Sequence, residues 1–109
     1  MIDVSACGSR CSTRCYDSLT AGSHGIKARI TLGDEYDGME VTACWRADGI
    51  QVDTPLDGDG TIVDVPAVLL EEPGVRLEVG VCGRRPGRTI STIWATVGIV
   101  RPSTYDHHH

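Results

Sequence analysis

The sequence predicts an all-β fold, an immunoglobulin-like β-sandwich of about seven strands with one short helical turn. Apolar and polar residues alternate through Val75–Cys82, which is the pattern of a strand with one buried face. The next apolar stretch, Thr89–Val100, carries apolar side chains on both faces, as an interior strand or a strand turning between two sheets does. Thirteen glycines among 109 residues, with many Val, Ile and Thr, also favour β structure.

Shorter alternating segments upstream predict the strands that cover this C-terminal pair. Asp48 and Gly49 predict a tight hairpin turn between two of them. Clusters of turn-forming residues predict loops at Gly33–Gly38 and Pro55–Gly60. The predicted upstream strands are Ile2–Ala6, Ile26–Leu32, Met39–Ala47, Ile50–Asp53 and Thr61–Val65. In the first of them Ile2, Val4 and Ala6 alternate with polar residues, and in Met39–Ala47 the alternation places Trp45 inward and Cys44 outward.

Helical structure is predicted at one place, the turn near Pro66–Glu72. Proline suits the first position of a helix, and the pair Pro73 and Gly74 ends the segment. The residues expected to plug one open end of the sandwich are Val68 and Leu69, with Leu70 as a further candidate. The Cys-rich segment Cys7–Cys15 is predicted as strand or loop, because Ser, Thr, Gly and Cys are poor helix formers.

The two C-terminal strands are joined by a basic tip, Gly83–Arg88. Its guanidinium groups could bind a carboxylate or a phosphate, although a solvated hairpin tip is the more ordinary interpretation. The candidate partner-binding residues are Arg84, Arg85 and Arg88. In the strand that follows, one face is predicted to carry Ile93, Ala95, Val97 and Ile99 and the other Ile90, Trp94 and Val100. Trp94 is therefore expected to be buried.

The totals exclude several classes of protein. A net charge of −5 argues against a general nucleic-acid binder, which would carry a basic surface. No apolar run approaches the length of a membrane span, and the start has neither a basic region nor a long apolar region, so no secretory signal is expected. Residues 1–103 are predicted to form a single domain, and 104–109 a tail whose His107–His109 resembles a purification tag.

The cysteines are the first candidates for chemistry. Five is an odd number, so at least one is unpaired, and without an export signal Cys44 and Cys82 are expected to be reduced. Three thiolates could ligate zinc, but a fourth ligand would have to come from Cys44, Cys82 or His24. Ordinary thiols or a disulfide are favoured for the three cysteines concerned, Cys7, Cys11 and Cys15.

Two further groups resemble known sites only in part. The carboxylates of Asp57, Asp59 and Asp64 alternate as in a calcium loop, but the required glycine and terminal glutamate are missing, so a hairpin turn is favoured. His24 could form a Cys–His pair, yet no flanking signature supports it and a turn histidine is favoured. The sequence thus predicts a non-enzymatic protein with no catalytic residue, no metal site and no cofactor.

Several stretches together resemble a known family. They are Leu19–Ile26, Asp34–Trp45, Val65–Gly74, Val79–Gly83 and Ser91–Gly98. Their motifs are similar to those of a β-rich domain in tail, baseplate or fibre-associated structural proteins of phages and prophages from Gram-positive gut bacteria. The chain departs from that pattern at Ala67, where tryptophan is usual, at Cys82, where tyrosine is usual, and at Ser91, where proline is usual.

The resemblance implies a virion structural module that attaches a tail, baseplate, fibre or head-decoration component by protein–protein packing. Its partners would be other virion structural proteins, and a homo-oligomer, by resemblance a trimer, is expected. The protein would be made in the host cytoplasm and function in the virion. The alternative is a carbohydrate- or receptor-binding sandwich that contacts a host-surface glycan through its loops.

Overall fold

The computed structural model describes residues 1–16, 18–57 and 60–103, which form two packed β-sheets. The strands are β1 (Ile2–Cys7), β2 (Arg10–Cys15), β3 (Lys27–Leu32), β4 (Glu40–Ala47), β5 (Ile50–Leu56), β6 (Thr61–Asp64), β7 (Arg76–Arg85), β8 (Arg88–Ser91) and β9 (Ala95–Ile99). One sheet has the order β2-β1-β3-β6. In the other, β5, β4 and β7 lie side by side, and β8 and β9 follow one another along the far side of β7.

The predicted all-β sandwich is confirmed, but the described residues form nine strands instead of about seven. One addition is β2, in the Cys-rich segment for which strand or loop was expected. It pairs antiparallel with β1, and β1 in turn pairs parallel with β3. The inward residues of β1 are those expected from its alternation, namely Ile2, Val4 and Ala6, and all three are buried.

The other addition arises because Thr89–Val100 is two strands and not one. Both pair with β7, so the predicted C-terminal hairpin is present, but residues 92–94 interrupt the ladder. At the interruption the backbone N–H of Val81 donates to Oγ1 of Thr92 at 2.9 Å. The glycine of β7 at this point, Gly80, leaves room for Thr92 and for the ring of Trp94, which a Cβ atom would meet at 3.2 and 3.6 Å.

The predicted facing of this last segment is wrong at three positions. Ile93 lies in the interruption and is 67% exposed. Within β9 the register against β7 shifts at Leu77 and Glu78, and this bulge turns Ile99 outward, where it is 47% exposed. Trp94 was expected in the core and is instead only partly buried, on the outer side of the sheet.

The predicted helical turn is present as a 3₁₀ turn, Ala67–Leu70. Its buried side chains are Leu69 and Leu70, whereas Val68, expected to plug the sandwich, is 44% exposed. A 3₁₀ turn places successive side chains about 120° apart, so three consecutive apolar residues cannot all face the core. A second 3₁₀ turn, Asp34–Tyr36, lies in the predicted loop Gly33–Gly38.

The hairpin turn between β4 and β5 is confirmed. Asp48 and Gly49 both have positive φ, 50° and 77°, as a two-residue turn that follows the strand twist requires. Beyond it β5 is longer than predicted and runs through Pro55, where the sequence had indicated a turn. Proline is tolerated there because β5 is an outer strand of its sheet. Gly58 and Asp59 of the predicted turn lie outside the described residues.

The core lies between the two sheets. Its largest fully buried side chain is Trp45 on β4, and the inward faces of β1, β3 and β7 complete it. No helix among residues 1–16, 18–57 and 60–103 is long and apolar enough to cross a membrane. The predicted C-terminal tail, residues 104–109, is outside the described part of the chain.

Candidate binding surface

The three candidate arginines come together at the end of the β7–β8 hairpin. The structure shortens the predicted tip to a turn at Pro86 and Gly87, because Gly83, Arg84 and Arg85 belong to β7. Arg84, Arg85 and Arg88 are all exposed. Among the described residues none of the three forms an ion pair. A depression of about 410 Å³ beside Arg84 and Arg85 is also lined by Gly38, Glu40 and Pro86.

The base of this hairpin is fixed by a buried tyrosine. A Cβ atom on Gly83 would lie 2.8 Å from the Tyr36 ring, so only glycine allows the ring to pack against the strand. The Tyr36 hydroxyl donates to the backbone oxygen of Gly8 at 2.6 Å, which ties the β1–β2 turn to the same place. Burial raises the pKa of Tyr36, and the nearby thiols and Glu35 raise it further if ionised. The hairpin that carries the arginines is thus held in place at its base by Tyr36.

The outer face of the five-stranded sheet is concave and forms a polar groove of about 670 Å³. Side chains from β5, β4, β7 and β8 line it, including those of Thr42, Cys44, Gln51, Asp53, Cys82 and Ser91. This groove was not predicted from the sequence. Part of it could have been predicted from the hairpin turn at Asp48 and Gly49, because a two-residue turn sets the register that places Asp53 opposite Cys44.

The two thiols of the groove are in different surroundings. Cys44 faces outward, as predicted, and its pKa is raised to about 11, first by burial and then by the charge and hydrogen bond of Asp53. The Sγ atom of Cys82 accepts a hydrogen bond from the hydroxyl of Ser91 at 3.6 Å. Both cysteines carry free thiols in this structure.

Trp94 also lines the groove. The guanidinium of Arg46 lies 4.0 Å from the centre of its ring, and Nε of Arg46 donates to Glu78 at 2.9 Å. A cation over an aromatic face is attractive, and here it occupies a ring face that a sugar would otherwise use. The indole lies against Gly80. Trp94 therefore packs on the outer surface of the sheet. A sugar cannot stack on the ring face that Arg46 covers.

The N-terminal cysteines are not gathered at one point. The Sγ atom of Cys7 lies 3.7 Å from a carboxylate oxygen of Glu35. Cys11 donates to the carbonyl of Val79 at 3.8 Å, and burial raises its pKa, an effect reduced by a hydrogen bond with Thr92. In the described part of the chain no three His, Cys, Asp or Glu side chains are placed to hold a metal ion.

The remaining candidate groups are also separate. His24 is exposed just after the turn at Ala21 and Gly22, and its Nδ1 is 3.4 Å from the carbonyl of Gly22. The surface depression at His24 is lined by Ser23 and Lys27, among others, and not by the acidic residues of the 34–37 loop. Asp64 forms an ion pair with Lys27 across the β3–β6 ladder.

These features define a small two-sheet sandwich with an arginine-bearing hairpin end and a polar groove on one outer face. No protein-family model, curated protein or solved structure is significantly similar to the chain. The resemblance to phage structural domains is therefore carried by the sequence motifs alone.

Proposed function

We propose that the protein is a non-enzymatic virion structural module that attaches to a tail, baseplate, fibre or head-decoration component through the arginines of the β7–β8 hairpin. The observation that carries the proposal is the exposure of Arg84, Arg85 and Arg88 together, without an ion-pair partner among the described residues. The sequence resemblance supports the virion setting. The module is made in the host cytoplasm and works in the virion as part of a homo-oligomer, a trimer by that resemblance.

Arginine is suited to such a contact. Its planar guanidinium binds carboxylates through two parallel hydrogen bonds and loses less hydration than an ammonium group does. The chain as a whole has a net charge of −5, so three arginines at one hairpin end contrast with the rest of the surface. An acidic patch on the partner is therefore the complementary surface, and close approach of mismatched partners is disfavoured by the same charges.

A triple variant with Arg84→Ala, Arg85→Ala and Arg88→Ala tests this function. Each substitution is on an exposed strand end or turn, where stability usually changes by less than ~0.5 kcal/mol, so the variant should fold normally. It should bind the structural proteins encoded next to it at least about tenfold more weakly, since loss of one hot-spot arginine alone has this effect.

The measurement is a pull-down against those structural proteins, together with a melting curve. The matched control replaces two exposed arginines away from the hairpin end, Arg76→Ala with Arg101→Ala, and should retain binding. A folded triple variant that binds as wild type does would contradict attachment through the hairpin.

The polar groove favours a second candidate, a carbohydrate- or receptor-binding function. Hydroxyl, amide and carboxylate groups line it together with Arg84, and a few convergent polar groups of this kind orient a ligand in a binding site. Because Arg46 covers a face of Trp94, recognition would depend on polar contacts such as those of Asp53 and Gln51. A glycan array with wild type and Asp53→Ala tests it: wild-type binding that Asp53→Ala loses supports the groove, and no bound glycan removes the candidate.

A further inference from the structure

The backbone of β8 leaves hydrogen-bonding groups directed away from its own sheet. The N–H of Thr92 donates to the carbonyl of Val81 at 2.9 Å, which fixes the phase of the ladder between β7 and the strand beside it. Because hydrogen-bonded and non-bonded pairs alternate in an antiparallel ladder, Arg88 and Ile90 bond to β7. The N–H and C=O groups of Thr89 and Ser91 therefore face the other way. No strand among the described residues pairs with β8 on that side.

This edge differs from the opposite edge of the same sheet. On β5 the residues in the equivalent phase are Gln51, Asp53 and Pro55, because the two-residue turn after Ala47 sets the alternation. Pro55 has no N–H to offer an added strand, and a carboxylate beside it discourages close approach. On β8 both outward residues keep their N–H groups and both are exposed.

The charges around β8 indicate what would bind there. Arg84 and Thr89 form a cross-strand pair, as do Arg85 and Arg88, so guanidinium groups surround the outer half of the edge. A second copy of this chain is a poor occupant, because β8 reads Arg-Thr-Ile-Ser and would bring no carboxylate to the arginines of its partner. Successive pairs of the ladder face opposite sides of the sheet, so a segment with carboxylates at alternate positions would place them beside the Arg85–Arg88 pair on one face. Exposed Ile93, just past the strand, offers that segment an apolar contact.

We infer that the edge of β8 binds an extended acidic segment of a partner protein as an additional strand of the five-stranded sheet. Backbone bonds from Thr89 and Ser91 supply the pairing, and Arg85 and Arg88, which share one face of the hairpin, bind the segment's carboxylates. Main-chain pairing with side-chain selection is an established mode of peptide recognition. The inference rests on the proposed attachment function and specifies the form and charge of the partner.

Amide hydrogen exchange tests the pairing directly, with a peptide of alternating Glu and Val as the probe and a Lys-Val peptide of equal length as its control. Saturating Glu-Val peptide should slow exchange at Thr89 and Ser91 by about tenfold or more, because those amides become hydrogen-bonded. The amides of Arg88 and Ile90, already bonded to β7, should change little. No slowing at Thr89 and Ser91, or equal slowing with the Lys-Val peptide, would overturn the inference.

A pair of proline variants separates this inference from the proposed function. Thr89→Pro removes an outward N–H and leaves the β7–β8 bonds intact, as Pro55 does on β5, and should weaken peptide binding about tenfold or more. Gln51→Pro makes the same change at the β5 edge and should bind as wild type does.

If the arginine variant loses the virion partner while Thr89→Pro keeps it, attachment stands and strand addition is wrong; if neither variant loses it, both are wrong. A dimer that forms in sedimentation and that Thr89→Pro abolishes would make the occupant a second copy and overturn the acidic partner.

Discussion

Two of the outer strands of the five-stranded sheet, β5 and β8, differ in what their exposed edges offer to another chain. An outer strand exposes backbone donors and acceptors that can pair with any extended chain. On β5, Pro55 has no N–H that such a chain could bind, and the carboxylate of Asp53 discourages its close approach. On β8 the donors remain, and arginines surround them. The difference teaches that an edge can be protected by removing its hydrogen bonds or made selective by its charges.

The largest expected effect is a loss of stability, and it should follow from truncating a tryptophan on an inner strand but not one beside β8. Trp45 on β4 is fully buried, and truncating a buried aromatic costs ~3–5 kcal/mol, so Trp45→Ala should leave the domain marginally folded or insoluble. Trp94 lies on the outer surface beside β8, and Trp94→Ala should cost only about 1–2 kcal/mol through the lost contacts with Arg46 and Gly80.

Urea unfolding of both variants measures the two free energies. Sequence alternation alone predicted that Trp94→Ala would be the severe change. Equal losses for the two variants would mean that Trp94 belongs to the core after all.

An intermediate effect on stability is expected from replacing the proline that protects the β5 edge. Pro55→Thr restores an outward N–H and should change the free energy of unfolding by no more than about 1 kcal/mol, since the proline contributes mainly by restricting the unfolded chain. Its consequence should be association, because both outer strands of the sheet would then accept another chain. Sedimentation velocity at rising concentration measures this.

The control for that change is Pro86→Thr, which also replaces an exposed proline but lies in the β7–β8 turn and opens no edge. It should stay as dispersed as wild type. A Pro55→Thr variant that also remains dispersed would show that Pro55 does not protect the edge.

The smallest expected effect on stability comes from the thiols. Cys44 lies beside β5 and Cys82 beside β8, and the two should react differently. Cys44 lies opposite Asp53 of β5, and its pKa is raised from 9.0 to about 11. At pH 8.5 its thiolate should be about a hundredfold scarcer in the folded protein than in urea, so iodoacetamide should modify it correspondingly slowly. Because the folded-state pKa is the higher one, the thiol's contribution to stability is complete below pH 9 and is lost as the pH rises toward 11.

Peptide mapping after timed alkylation follows each cysteine separately. Asp53→Asn should accelerate modification of Cys44 and leave Cys82, which contacts Ser91 of β8, unchanged. Modification of Cys44 at the same rate in folded and unfolded protein would exclude the raised pKa.

The sequence predicted the strands whose alternation continues without interruption. Alternation placed Trp45 correctly because β4 is regular over its whole length and lies between two neighbours. It failed for Trp94 because no pattern of apolar residues shows that the ladder stops for three residues opposite Gly80. A lone glycine in a strand can mark such a place, and Gly80 was the available signal.

The candidate surface could be predicted in part. The arginines at the hairpin end were visible because a turn with proline and glycine must project from the sheet. The groove and the free edge of β8 could not be, since both depend on which strands become neighbours. Nothing in the Cys-rich segment revealed that β1 would pair in parallel with β3, because parallel neighbours need not be close in sequence.

The β1–β2 hairpin has a consequence for how the chain is made. Thr13 on β2 donates to the carbonyl of Thr96 in β9 at 2.6 Å, and Ile93 donates to the carbonyl of Ser9, so the first hairpin is held by nearly the last strand. Such distant contacts slow folding, because loop closure must precede any gain from them. During translation these two bonds can form only after β9 has been made, although β1 can already pair with β2 and β3. Until then the side of β2 that β9 will contact stays uncovered, and incompletely packed strands of this kind are prone to associate with other chains.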